Sequence, residues 1–199
     1  MSWQVDYAHT SVHFSVRHMM ISTVRGEFGK LTIDAQLDEN EIAKIHDANF
    51  LTEDDILNSR LVVKIDAASI NTRAADRDNH LRSPDFLDVA QYPEIVFKMK
   101  RGEKIDAHHG KLIGDLTIRN VTQAVALDVE FVGEAKTPWS HNAGFNAHTK
   151  ISRKDWGLNW NVALETGGWA VGDEVNIDIE IEFTKVPETA PQAEAAVAA

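Results

Sequence analysis

The sequence predicts an all-β protein in which about eight long antiparallel strands close into a barrel. Apolar and polar residues alternate through most of the 199-residue chain, as they do in half-buried strands. Closure is expected because so many strands would otherwise expose edges, and a barrel of this size can hold one small ligand. The alternation is clearest in the last strand, where apolar residues take every second position: Val175, Ile177, Ile179, Ile181 and Phe183.

The N-terminal strands follow the same pattern. A lead-in over residues 3–7 precedes a first long strand, and a second strand runs over about 24–34. Gly26 and Gly29 in the second strand predict a bulge or a tight bend of the kind that barrels use at corners. Alternate residues of the first strand share one face: Val12, Phe14 and Val16.

Two segments lack strand periodicity. Residues 36–60 are rich in charge and predict a long connection, in which Thr52 caps a single helical turn. The tail over 187–199 has no large side chain, and we expect it to be disordered. The sequence therefore predicts one barrel domain over 1–186, followed by a disordered tail.

Short turns separate most of the remaining strands, and one segment without strand alternation interrupts the series. In the turn after Ile118, Asn120 is the residue expected to tolerate a left-handed conformation. The predicted strands cover residues 61–66, 95–100, 112–118, 125–131, 143–151 and 174–183.

The segment Arg77–Phe97 carries helix and turn signals instead of strand alternation. Thr72 predicts the cap of a first short helix, and Ser83, which precedes a proline, predicts the start of a second. These helices of the 72–90 connection have apolar residues that only the sheet is large enough to bury: Leu81, Phe86, Leu87 and Val89. We interpret the segment as a cover over the barrel.

The composition disfavours several classes of partner. Acidic residues outnumber basic ones by 31 to 20, and the resulting net charge of −11 disfavours nucleic acid and anionic membranes. The chain has no cysteine and therefore no disulfide framework. Because the first residues lack a signal-peptide pattern and no run of about 18 apolar residues occurs, we expect a cytoplasmic protein without stable membrane insertion.

The nine histidines do not predict a metal site. His9, His13 and His18 are the closest set, but in a strand His9 and His13 lie roughly 13 Å apart. Two ligands of one zinc ion must place their atoms much closer together than this. We therefore expect that these three histidines do not bind one metal ion together.

Arg77, Asp78 and His80 form a potential acid-base cluster. We favour a structural role, because charged residues at such a corner can fasten it to the sheet through hydrogen bonds to the backbone. Arg153 and Asp155 resemble a local ion pair that fixes a turn. No serine lies in a nucleophile-elbow pattern, so we expect neither catalysis nor a required cofactor.

Several ordered blocks occur along the sequence. They include Trp3-x-x-Asp6-x-x-His9-Thr10-x-Val12-x-Phe14, Val24-x-Gly26-x-Phe28, Arg77-Asp78-x-His80-Leu81, Asp85-Phe86-x-Asp88-Val89, Tyr92-Pro93-x-Ile95-x-Phe97, Gly114-Asp115-Leu116-Thr117-Ile118 and Val171-Gly172-Asp173-Glu174-Val175. Together these blocks resemble the YceI family of lipocalin-like, isoprenoid-binding proteins over roughly residues 3–184. No single block is decisive, but their number and order make coincidence improbable.

The resemblance implies an extended, eight-stranded lipocalin-like barrel, usually a homodimer, that stores or carries a polyisoprenoid quinone or a similar long-chain lipid. Considered without the resemblance, the aromatic residues could equally fill an ordinary core. Two other functions remain open: a lipid-modifying enzyme that uses the Arg77, Asp78 and His80 cluster, and a stress-related interaction scaffold. The candidate ligand contacts are Phe14, Val16, Phe28, Phe86, Leu87, Ile95, Phe97, Leu116, Phe145 and Trp156.

Overall fold

The computed structural model describes residues 2–35 and 61–186, which form a ten-stranded antiparallel sheet with one α-helix. The helix, α1 (Ala75–Arg82), lies between β5 and β6 in the chain, and two short 3-10 helices span Ala67–Ser69 and Arg153–Trp156. The strands are β1 (Ser2–His18), β2 (Ser22–Phe28), β3 (Leu31–Ala35), β4 (Leu61–Asp66), β5 (Ile70–Asn71), β6 (Glu94–Lys104), β7 (His109–Ile118), β8 (Val121–Lys136), β9 (His141–Ser152) and β10 (Val171–Val186).

The expectations for the connection over 36–60, including the Thr52 cap, and for the tail over 187–199 lie outside the described residues. Within the part of the chain that is described, no helix is both long enough and apolar enough to cross a membrane.

The predicted number of eight strands is wrong, because the predicted second strand is broken once and a short strand that was not predicted, β5, follows β4. The second strand is interrupted at Gly29 and Lys30, which gives β2 and β3. On the neighbouring strand the 3-10 helix Ala67–Ser69 separates β4 from β5. The Gly29 N–H donates to the Ser69 carbonyl (3.2 Å) and the Asp66 N–H donates to the Lys30 carbonyl (3.0 Å). The two breaks thus satisfy each other's backbone groups.

The sheet curls until its two ends meet. In the strand order β3-β4-β6-β7-β8-β9-β10-β1-β2-β5, β3 and β5 are terminal. However, β2 pairs with β5 while β3 pairs with β4, and only two residues separate β2 from β3. Both ends of the order therefore belong to the same two adjoining chain segments. The all-β class and the curled antiparallel architecture are confirmed.

The buried core lies on the inner face of this curl. Strand β8 illustrates the cause, since its apolar residues recur at every second position and are buried, while the residues between them are exposed. The buried positions of β8 are Val125, Leu127, Val129 and Phe131.

One helix, rather than the two predicted, interrupts the sheet. Ser83 is the C-cap of α1, its N–H donating to the His80 carbonyl (3.1 Å), so the second helix predicted from Ser83 is wrong. The predicted Thr72 cap is also wrong, because the N-cap position is Ala74 and makes no side-chain cap hydrogen bond. Thr72 instead donates from its N–H (2.9 Å) and its hydroxyl to the buried carboxylate of Asp78. A charged acceptor competes well for these donors.

The β7–β8 turn places Arg119, not Asn120, in the left-handed region, with φ at 57°. Such a backbone conformation is costly for a residue with a long side chain. The Arg119 guanidinium carbon lies 5.5 Å from the centre of the Tyr92 ring, and Nη2 lies 3.9 Å from the buried Asp88 carboxylate. These two contacts accompany the left-handed conformation of Arg119.

Candidate ligand-binding cavity

A cavity of about 300 Å³ lies inside the curled sheet. All ten strands contribute to its wall, because the period-two pattern of each strand directs one set of side chains inward. The lining is almost entirely aliphatic and aromatic. Its volume is at the lower end of the range for small-molecule sites.

Nine of the ten candidate contacts predicted from the sequence line this cavity. Trp156, the tenth, lies elsewhere: it is 2% exposed, and its indole N–H donates to the Leu116 carbonyl (3.0 Å). The nine lining residues are Phe14, Val16, Phe28, Phe86, Leu87, Ile95, Phe97, Leu116 and Phe145. The structure thus brings nine of the ten predicted residues together in the wall of one cavity, and Trp156 is not part of that wall.

Helix α1 and the turns after it cover one end of the cavity. Leu81, Phe86 and Leu87 line it from this side. The Phe86 ring contacts the His80 ring edge-on (centroids 5.1 Å apart) and the Trp160 ring (5.3 Å). The predicted cover is therefore present, with an aromatic cluster at its outer side.

Charged side chains attach the cover to the sheet through the backbone. Arg82 donates from Nε to the Ala68 carbonyl (2.8 Å) and from Nη2 to the Ile70 carbonyl (2.7 Å). Arg77 donates from Nη2 to the Thr72 carbonyl (2.8 Å) and from Nε to the Thr72 hydroxyl (2.7 Å). A guanidinium group carries five N–H donors in a fixed planar arrangement, and this geometry suits a clamp on several carbonyls.

The Arg77, Asp78 and His80 cluster does not converge on a substrate position. Arg77 and Asp78 both engage Thr72, whereas His80 lies with Nε2 2.9 Å from an Asp85 carboxylate oxygen. These are the fastening contacts expected from the sequence for Arg77 and Asp78. The His80 ring contacts the side chains of Asp85 and Phe86 rather than backbone groups of the sheet.

Arg153 is a cavity-lining residue that sequence reasoning assigned to a different role. It is 3% exposed and donates to the carbonyls of Gly172 (2.9 Å), Trp160 (3.0 Å) and Leu158. Its ionic partner is Asp173 (3.4 Å), so the predicted pairing with Asp155 is wrong. Burial lowers the pKa of the Arg153 guanidinium, and the Asp173 charge opposes this. The side chain does fix the turn, through the nearby carbonyls of Leu158 and Trp160, and it also joins this turn to Gly172 and Asp173 of β10.

The other buried polar groups of the lining are also occupied by the protein. The Thr10 hydroxyl donates to the Asp6 carbonyl (2.8 Å), and the Thr149 hydroxyl donates to the Ala126 carbonyl (2.8 Å). What the interior offers a ligand is therefore apolar contact.

The three N-terminal histidines have different partners. His9 Nδ1 lies 2.9 Å from Asp6, while His13 Nδ1 lies 3.9 Å from Glu27. One group of possible metal-ligand atoms does occur among the described residues: those of Asp6, His9 and Glu182 lie within 4.8 Å of one another. Sequence spacing did not suggest this set, because Glu182 comes from the neighbouring strand β10.

Sequence reasoning also missed most of the wall that β9 and β10 supply. The alternation of these strands was recognised, but it did not distinguish core from cavity wall. The residues concerned include Ala147, Ile151, Ile177, Ile179, Ile181 and Phe183.

A curled antiparallel sheet around an apolar cavity defines a lipocalin-like protein. The chain belongs to the YceI family, since the family model described as YceI-like domain matches residues 3–183. This confirms the resemblance found in the sequence.

Known relatives agree with the assignment. A UPF0312 protein of Staphylococcus aureus (strain N315) is 33% identical over 181 residues, which cover 90% of this chain and 95% of that protein. The crystal structure of the Campylobacter jejuni YCEI protein has a TM-score of 0.66 and 32% identity, covering 86% of this chain and 90% of that one. A polyisoprenoid binding domain from Saccharophagus degradans, implicated in plant cell wall breakdown, shares the fold with a TM-score of 0.59 and 12% identity, covering 92% and 98% of the two chains.

Proposed function

We propose that this protein binds a long-chain isoprenoid of the quinone type, or a related lipid, in the cavity of the curled sheet, and that it stores or carries this lipid. The main support for this proposal is an apolar cavity. Its buried polar residues, Thr10, Thr149 and Arg153, already hydrogen-bond to the protein. The YceI-like domain supports the proposal, and so does the shared fold with a polyisoprenoid binding domain.

The energetics favour a long hydrocarbon chain. Each CH₂ group that leaves water contributes about 0.8 kcal/mol, so a chain needs no ionic contact to bind tightly. A lipid taken from a bilayer starts in hydrocarbon, and most of this gain then cancels. Selectivity among membrane lipids would depend on the shape of the cavity and on a few polar contacts at its openings.

Binding is the function, and catalysis is not part of the proposal. Arg77 and Asp78 are engaged with Thr72, which leaves the enzyme alternative without its two charged groups. A scaffold with a filled interior is disfavoured by the cavity itself. The homodimer implied by the family resemblance and the cytoplasmic location remain predictions, and light scattering and cell fractionation test them.

Lipid extraction and uptake test the proposal directly. Purified protein is extracted with organic solvent and analysed by mass spectrometry, and the stripped protein is titrated with ubiquinone or a fluorescent isoprenoid in detergent. We expect a co-purified long-chain lipid and saturable uptake. Reproducible absence of both would contradict the proposal.

A pair of variants on β6 makes the test specific for the cavity. Phe97 is 7% exposed and lines the cavity, whereas its neighbour Val96 does not line it and lies on the other face of the strand. Phe97→Asp should weaken uptake at least about tenfold, because it places a carboxylate in an apolar wall. Val96→Asp should leave uptake unchanged. Val63→Phe occupies part of the cavity without adding a charge. Its isoprenoid uptake provides the test if Phe97→Asp fails to fold.

A further inference from the structure

Exposed apolar side chains gather on two turns at the end of the sheet that α1 covers. One is the β1–β2 turn, in which Ile21 is 81% exposed and Met20 is 58% exposed. The other is the loop before β10, which carries Trp169, 55% exposed. We define the apolar patch by five residues: Met19, Met20, Ile21, Val162 and Trp169.

The two turns form one surface. The Met19 N–H donates to the Ala170 carbonyl (2.9 Å), and the Ala170 N–H donates to the Val162 carbonyl (2.9 Å). The Met20 side chain packs over Gly168, where an added Cβ would lie 3.4 Å from Met20 Cγ. Hydrogen bonds between the turns therefore hold the exposed side chains next to one another.

Two residues of the patch, Met19 and Met20, adopt backbone conformations that are uncommon for long side chains. Met19 and Met20 have φ values of 49° and 63°, in the left-handed region that long side chains rarely occupy. Such strain persists only where surrounding contacts impose it, and it concentrates at functional segments. The Arg17 guanidinium provides such a contact by donating to the Met20 carbonyl (3.1 Å).

The patch adjoins the cavity along both chain segments. Val16 and Val171 line the cavity, and they lie three residues before Met19 and two residues after Trp169. At about 3.3 Å per residue these separations are roughly 7 to 10 Å. Trp160, two residues before Val162, contacts the cavity-lining Phe86. The patch therefore lies close to residues that line the cavity.

We propose that the apolar patch docks on the surface of a lipid bilayer, so that the ligand passes between bilayer and cavity at this end of the sheet. This rests on the proposed lipid-binding function. Tryptophan is suited to the headgroup region because its ring is apolar and its N–H is polar, while methionine and isoleucine insert more deeply. Projecting turns enter a fluid headgroup layer readily, whereas a protein partner would need a matching concave surface.

Insertion of apolar side chains, rather than charge, drives the docking. The net charge of −11 gives no general attraction to anionic lipid. Docking should therefore occur on zwitterionic phosphatidylcholine vesicles and persist at high salt, where an electrostatic contact would weaken. A bilayer-held chain that enters at the patch also avoids crossing water.

Matched residues away from the patch provide the controls. Ile105 in the β6–β7 turn is 58% exposed, and Trp139 in the β8–β9 turn is 86% exposed. The strand register places the β8–β9 turn near Thr184, at the opposite end of β10 from Val171. The β6–β7 turn lies level with Glu180 and Ser11, seven residues along β1 from His18. Two double variants of the full chain are compared, Ile21→Ser with Trp169→Ser, and Ile105→Ser with Trp139→Ser.

Co-sedimentation with phosphatidylcholine vesicles measures docking, and transfer of a fluorescent isoprenoid from those vesicles measures exchange. We expect the patch variant to bind vesicles at least about tenfold more weakly and to load from vesicles more slowly. Its uptake of the same isoprenoid from detergent should match the wild type, and the control variant should behave as wild type throughout.

Three results would overturn the inference: a wild-type protein that does not bind vesicles, equal losses in the patch and control variants, or a patch variant that loses a dimer without losing vesicle binding. The last result would assign the patch to a second copy of the chain. Failure of the proposed function is a separate outcome, since it would abolish uptake from detergent as well as from vesicles in the wild type.

Discussion

The phenyl ring of Phe14 occupies the space that a side chain on Gly26 would need. The two residues face each other across β1 and β2, and a Cβ built on Gly26 would lie 2.5 Å from Phe14 Cζ. Gly114 faces Met99 on β6, and a Cβ built on it would lie 2.6 Å from Cζ of Phe97, two residues before Met99. Glycine thus leaves room beside the neighbouring strand for the rings of two cavity-lining aromatics.

Gly26→Ala should destabilise the protein by about 1 to 3 kcal/mol, because the new methyl group overpacks against Phe14 and Thr72. The displaced ring should also reduce isoprenoid uptake. Urea unfolding and ligand titration measure the two effects. Gly29→Ala is the control, since its Cβ would lie 3.8 Å from the Ser69 carbonyl, an ordinary contact. Equal losses in both variants would contradict the close-packing explanation.

Asp78→Ala should cost about 1 to 3 kcal/mol of folding free energy, because it leaves the buried N–H and hydroxyl of Thr72 without their acceptor. The cover should loosen before the sheet unfolds, and hydrogen exchange over 72–90 should accelerate. Asp76→Ala is the matched control, an exposed acid on the same helix. An unchanged exchange rate in Asp78→Ala would show that this carboxylate does not hold the cover.

Trp156→Phe should lower stability by about 1 to 3 kcal/mol, because the buried Leu116 carbonyl loses the indole N–H. Uptake of isoprenoid should be unchanged, since Trp156 lies behind the cavity wall. Comparison with Phe97→Leu separates the two positions, because Phe97 faces the interior. A loss of affinity in the folded Trp156→Phe protein would mean that the ring does contact the ligand.

The stability contributed by His9 should fall with rising pH. The hydrogen bond with Asp6 raises the pKa of His9 in the folded chain. A raised folded-state pKa means that this contribution is complete below about pH 6.5 and is lost as the pH rises through the folded value. The difference in unfolding free energy between the wild type and His9→Gln should therefore shrink above neutral pH.

An NMR titration of the His9 ring measures its pKa directly. Asp6→Asn removes the carboxylate charge and should return the pKa of His9 towards its ordinary value. A pKa of His9 that is the same with and without the Asp6 carboxylate would refute this account.

Strand alternation was sufficient to predict an antiparallel sheet and nine of the residues that line the cavity. Phe14, Val16 and Phe97 line the cavity because a period of two fixes which face of the sheet a residue occupies. Trp156 does not line the cavity; it lies in a 3-10 helix, where no such period applies. The partner of Arg153 was misjudged for a related reason: Asp155 is near in sequence, but Asp173 is near across the fold.

Local signals failed where a tertiary contact outweighed them. Ser83 before a proline has the form of a helix start, yet it ends α1. Thr72 has the form of an N-cap, yet the Asp78 carboxylate engages its donors. In the β7–β8 turn, contacts with Tyr92 and Asp88 accompany the left-handed conformation of Arg119, although Asn120 has the better intrinsic preference.

The clamps of Arg77 and Arg82 engage main-chain carbonyls of Thr72, Ala68 and Ile70. Every residue type supplies a carbonyl, so these attachments impose little demand on side-chain identity in the sheet. A change of side chain at Ala68 or Ile70 therefore leaves the carbonyl that Arg82 engages in place. This independence from side-chain identity lets one scaffold diversify its ligand preference, and it offers protein engineers a wall that can be redesigned without rebuilding its closure.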